Sequence, residues 1–186
     1  MFIKGESKMI IKTINIIKLI NTIIDDMEFS PFIIDDKIAN IVASKACDIL
    51  AVKAPLYYEE LSNKTMGRCR IVGKMNIVQI NECASPSNIA ELYKSDKDSA
   101  VFFFGKMCDT ILHEYRHAYQ LKVGMFDPRK YKKAVKDYSE YYNQGCEVDA
   151  REWASKIWKE NGAQLLGAIF SFLEDLYLDL LEDGWE

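Results

Sequence analysis

The chain has 186 residues, a net charge of −4 and a composition that is 49% hydrophobic and 28% charged. With 9 Gly and 4 Pro it is neither collagen-like, low-complexity nor disordered, and residues 1–186 read as a single domain. The acidic balance excludes a globally electropositive nucleic-acid binder. From Met9 to Ile24 the pattern predicts an amphipathic helix. Ile10, Ile14, Ile17, Ile20 and Ile24 form its core stripe, with Lys12, Asn15, Lys18 and Asn21 opposite. Those polar residues interrupt the run as a signal peptide or a membrane span. A second helix is expected from Asp35 to about Val52, capped by Asp35 or Asp36 and punctuated by Pro31 and Pro55. Leu56–Glu60, Arg68–Val72 and Met75–Asn81 carry β-type runs, the last two joined by a turn at Gly73-Lys74. A long helix is predicted from Ser95 or Asp96 to about Leu121, buried on most sides at Phe102, Phe103 and Phe104. Gly124 and Pro128 end it. A helix from Cys146 to about Asn161, a break at Gly162 and a last helix to about Leu181 complete the chain. The expected fold class is α+β, mostly helical, with a small antiparallel sheet of about three strands beside the long helix.

Cys47, Cys69, Cys83, Cys108 and Cys146 are odd in number, and no two make a CxxC pair. They read as reduced thiols of a cytoplasmic protein.

The long helix contains His113-Glu114-Tyr115-Arg116-His117, and these are the only two histidines in the chain. Two histidines placed at random would fall four apart roughly 1% of the time, and a Glu after the first lowers that to roughly one in a thousand. Residues one turn apart share a helix face, so both imidazoles can reach one metal ion. Glu114 is rotated off that face, placed to take a proton from water beside the metal. Catalytic zinc needs a third protein ligand and an open position. No His remains, so the candidates are Asp127, Glu140, Cys146, Glu147 and Glu152. Glu147 is the strongest: it opens a helical run in which Ala150 and Ala154 share its stripe and let another helix approach closely. Asp127, in the loop after the motif, is the runner-up.

On His113–Gln120 and Glu147–Ala154 the chain resembles the zincin-like metallopeptidases of the gluzincin type. It looks most like the small zincins of Gram-positive bacteria and phages, in the style of the ImmA/IrrE and SprT-like groups. The resemblance covers about residues 70–160. It implies one Zn²⁺ held by His113, His117 and Glu147, with Glu114 as general base, hydrolysing bonds of a peptide or protein substrate with zinc-activated water. It also implies an edge strand that holds extended peptide, a role that falls on Met75–Asn81 and its Asn76, Val78 and Ile80. Larger gluzincins often add a downstream His at the oxyanion, and this chain has none. Tyr138, Tyr141 and Tyr142 precede Glu147, and Tyr141 and Tyr142 are the candidate oxyanion stabilisers. Asp149 is a candidate partner for a ligand imidazole, although two residues from Glu147 is another face of the helix.

The alternative is a non-catalytic zinc protein or a partner-binding module, for which Glu114 would have no use. Two charge clusters flank the motif. Lys122, Arg129, Lys130, Lys132, Lys133 and Lys136 face only Asp127, and Glu174, Asp175, Asp179, Glu182, Asp183 and Glu186 close the chain. Both read as solvated faces, with an acidic partner or nucleic acid as the other reading of the basic stretch.

Overall fold

The structure, a computed structural model, describes residues 4–25, 31–62, 65–132 and 138–182. The elements in chain order are α1 (Lys4–Asp25), α2 (Pro31–Leu50), β1 (Leu56–Glu59), β2 (Gly67–Val72), β3 (Met75–Asn81), a 3-10 turn (Glu82–Ala84), α3 (Pro86–Ser95), α4 (Lys97–Lys122), α5 (Tyr138–Tyr142) and α6 (Gly145–Glu182). The chain is thus mostly helical with one three-stranded sheet, as expected of this α+β pattern. None of the described helices is long and apolar enough to cross a membrane.

Helix α4 is the central element. It packs against α1, α2, α3 and α6, and carries β2 and β3 on its flank. Its start is set locally: Asp96 is extended, and its carboxylate accepts the Ser99 N–H at 3.0 Å. Its end is set by Gly124, whose φ of 73° suits glycine. Ser85 caps α3 in the same way, with Pro86 at the first helical position, where a missing N–H is harmless.

The sheet order is β1-β3-β2. β2 and β3 form the expected hairpin, with Val72 opposite Met75 and Gly73 at φ 62° in the two-residue turn. β1 runs parallel to β3, so the sheet is mixed rather than antiparallel. A parallel pair needs a crossover, and here the segment from Glu60 through β2 supplies it. Asn81 closes that segment. Its amide nitrogen donates to the carbonyls of Leu61, Ser62 and Thr65, the last at 2.8 Å.

Four local expectations are corrected. The buried face of α1 is Thr13, Ile16, Ile17, Ile20 and Ile23, while Ile10 is exposed, because the helix turns its inner side between α3 and α6. Asp35 does not cap α2, which already starts at Pro31; its carboxylate instead accepts the N–H and hydroxyl of Ser87 on α3, both at 2.9 Å. Phe104 is fully buried, but Phe102 is 59% exposed, since α4 has neighbours on only part of its circumference there. Gly162 does not break α6. A Cβ on it would lie 3.2 Å from Met9 Sδ, so the glycine marks the close approach of α1 and α6.

Candidate metal centre

His113, Glu114 and His117 lie in the second half of α4, and Glu147 in the first turn of α6. The two helices pack along each other. Ala150 and Ala154, both fully buried, leave the room for that approach. His113 Nε2 and His117 Nε2 are 3.0 Å apart. Glu147 places Oε2 at 3.3 Å from His113 Nε2 and Oε1 at 3.2 Å from His117 Nε2. Donors at about 2.0–2.1 Å from a tetrahedral zinc stand about 3.3–3.4 Å from one another, and each imidazole nitrogen stands near that distance from one of the two Glu147 oxygens. Among the described residues this trio is the group of His, Cys, Asp and Glu that could hold a metal ion.

Glu114 is buried beside the trio and accepts the N–H of Cys69 on β2. Burial pushes its carboxyl above the usual carboxylate range, against the pull of His113 and His117. Burial also acts on Glu147, but hydrogen bonds from His113, His117 and Tyr131 outweigh it and hold this carboxyl well below the usual range. Two glutamates on one site are therefore driven apart, one toward a base and one toward a permanent anion.

The approach of β2 to Glu114 depends on Gly67. A Cβ there would stand 2.5 Å from Thr110 Cγ2 and 3.0 Å from Glu114 Cγ. β2 is the outer strand and lines a cavity of about 400 Å³ with Glu114, His117, Leu121, Phe126, Tyr131, Tyr141 and Glu147. Met75–Asn81 is not an edge strand: β3 is the middle strand of the sheet. Val78 pairs with Leu56 on one side and Cys69 on the other, and Val78 and Ile80 are fully buried. Asn76 donates to the Ala118 carbonyl at 3.1 Å. Among the described residues the edge strand beside the site is β2, because β1 pairs with the far side of β3, a parallel pairing that alternation cannot reveal.

Of the two tyrosines expected here, Tyr141 lines the cavity and Tyr142 does not. Tyr142 instead stacks on the Arg151 guanidinium, 3.5 Å from its ring centroid. A five-residue helix cannot turn two consecutive side chains to one site. Tyr131, which the sequence did not single out, donates its hydroxyl to Glu147 Oε1 at 2.6 Å. Burial raises the Tyr131 hydroxyl well above its ordinary range, and the Glu147 carboxylate adds to it. Tyr131 is held by Phe126 edge-on at 5.2 Å and by reciprocal amide bonds of 2.8 Å between Lys132 and Gln144. Its one sequence signal is an aromatic residue set among lysines.

The remaining candidates are spent elsewhere. Asp127 pairs with Arg129 at 3.0 Å, and Glu140 with Lys132 at 2.9 Å. Cys146 contributes its carbonyl to Gln120, and Glu152 lies in a surface groove with Arg151. Asp149 does not touch an imidazole. It takes both arms of Arg116, at 2.8 and 2.9 Å, and the amide nitrogen of Gln120 at 2.6 Å. Gln120 in turn faces His117 Nδ1 at 2.8 Å. In the flanking charge clusters, Lys133, Lys136, Asp183 and Glu186 lie outside the described residues.

Comparison of the chain with protein-family models, curated proteins and solved structures finds no match.

Proposed function

We propose that the protein is a zinc-dependent metallopeptidase acting on peptide or protein substrates, with His113, His117 and Glu147 as ligands and Glu114 as general base. The observation that supports this most is the convergence of two imidazole nitrogens 3.0 Å apart, each within 3.3 Å of one Glu147 oxygen, beside a buried carboxylate and a cavity. Zinc in such a site supplies a Lewis acid that lowers the pKa of water and polarises a carbonyl.

The chain's own groups do the rest. Peptide adds to the outer edge of β2 through main-chain hydrogen bonds, with Gly67–Ile71 along the cavity wall. Glu114 takes a proton from the attacking water as its oxygen bonds to the carbonyl carbon. It returns that proton to the amine nitrogen as the C–N bond breaks. Tyr141, which lines the cavity, is the hydroxyl donor offered to the forming oxyanion, because the Tyr131 hydrogen is held by Glu147. All five cysteines are free, which suits a reducing, cytoplasmic setting.

The test is metal analysis and hydrolysis of a peptide library by wild type, Glu114→Gln and Glu147→Gln. Wild type should carry one zinc and cut. Glu114→Gln should keep the metal and lose about 10²–10⁴-fold in rate. Glu147→Gln should lose the metal itself. Zinc without cleavage in wild type would leave a non-catalytic zinc protein, and no zinc would end the reading.

A further inference from the structure

We propose that Gln120 is a positioning residue: it sets the ring of His117 and ties the helix of the histidines to the helix of Glu147. The inference rests on the metal-site reading above and adds a residue that the HExxH pattern does not contain.

The hydrogen bonds fix which way the amide points. One end of Gln120 lies 2.9 Å from the Cys146 carbonyl and 2.6 Å from Asp149 Oδ2. Both of those groups accept only, so the amide nitrogen must face them and spends its two hydrogens there. The oxygen is then the end that meets His117 Nδ1 at 2.8 Å. An amide oxygen also only accepts, so Nδ1 carries the hydrogen. In the neutral ring, the form that binds a metal, the lone pair is then on Nε2, the atom that faces His113 and Glu147; without a metal a second proton on Nε2 bonds Glu147.

The same side chain couples two helices. Cys146 and Asp149 flank Glu147 in the first turn of α6, so the Gln120 amide grips that turn on both sides of the ligand. Asp149 is itself anchored by Arg116, one turn before Gln120 on α4, whose guanidinium lies 4.7 Å from the Tyr119 ring centroid. Gln120 is 1% exposed and every polar atom it owns is used. Its near substitutes fail: Glu lacks the two donors and would face Asp149 with like charge, Asn is one methylene too short, and Leu bonds nothing.

The chain holds two histidines, so imidazole N–H signals are few enough to assign by NMR. Wild type, metal-free and zinc-loaded, should show a slowly exchanging, hydrogen-bonded Nδ1–H of His117. Gln120→Leu should lose that signal and bind zinc about 10–100-fold more weakly, the usual effect of removing a partner of a ligand imidazole. Asp149→Asn, a milder change at a partly exposed site, should shift the signal and weaken zinc to a lesser degree. A His117 signal absent in wild type, or unmoved in both variants, overturns the proposal. So does equal zinc affinity in wild type and Gln120→Leu, even where wild type binds zinc and cuts peptide. A wild type that shows the Nδ1–H signal but takes up no zinc overturns the metal reading instead.

Discussion

The second half of α4 is more deeply buried than the first, and the two bury different chemistry. In the first half Ala100, Phe104, Met107 and Cys108, all without hydrogen-bonding side chains to satisfy beyond one thiol, have no exposure at all. In the second half the buried residues include Glu114, His117 and Gln120, each at 6% or less. Apolar burial is non-directional, so the first half needs only neighbours of the right volume. Polar burial is costly unless every group finds a partner in the right direction. The first half therefore decides where the helix sits, and the second decides which residues of α6 and β2 may face it.

Two carboxylates repeat the contrast. Asp35, on the apolar side, has two hydrogen bonds from Ser87 but no ion pair among the described residues, and burial pushes its pKa up to about 6. Glu147, on the polar side, is surrounded by imidazole and phenol donors and is held low. Burial acts the same way on both, and the partners decide the sign.

The strongest way to break the comparison is Phe104→Ala. It should cost about 3–5 kcal/mol of stability by opening a cavity. Zinc affinity of the folded protein should be unchanged, as read by denaturant titration beside a zinc titration. A parallel loss of zinc would mean that the two halves are not separable.

Next in size is the titration of Asp35. Its folded pKa of about 6 lies above the ordinary value of 3.8, so between these values the native state holds more protons than the unfolded one. Stability should therefore fall as pH rises through that window, by an amount on the order of 2–3 kcal/mol, and be level above it. In Asp35→Asn the slope should shrink by that amount, leaving what the raised Glu114 and Asp109 carboxyls contribute, and urea melts from pH 4 to pH 7 would show it. Parallel wild-type and variant curves would contradict the unpaired-carboxylate account.

The smallest effect sharpens the boundary between the halves. Gly67→Ala forces a methyl against Thr110 Cγ2 and should cost about 1–3 kcal/mol while displacing Glu114. Thr110→Ser removes the opposing methyl and should restore most of both stability and hydrolysis. Failure of that rescue would place the strain elsewhere.

Helix and strand boundaries were largely legible in the sequence, because periodicity and caps are local. The three strands and the 73–74 turn lie where alternation and glycine put them, and Asp96 and Gly124 bound the long helix. The i, i+4 pairing of His113 and His117 with Glu114 between them was equally legible, since helix geometry alone brings the imidazoles together. Glu147 was readable only as one of several carboxylates. Its meeting with the histidines depends on how α6 lies on α4.

What only the tertiary structure decided is everything set by a neighbour. Alternation marked Met75–Asn81 as a strand, but β1 on its far side made it central and left the edge to β2. Spacing brought Tyr141 and Tyr142 forward together, but a short helix turns one away, and Tyr131, in the loop before that helix, reaches Glu147. Asp149 reaches the imidazole only through Gln120, a link between two helices that no single-helix spacing contains. The sequence by itself determined the elements and the two-histidine face, because their physics is confined to one turn or one strand. The meeting of Glu147 with the histidines, the place of β2 in the sheet and the hydrogen-bond chain were settled by contacts between segments far apart in the chain, where direction matters as much as residue type.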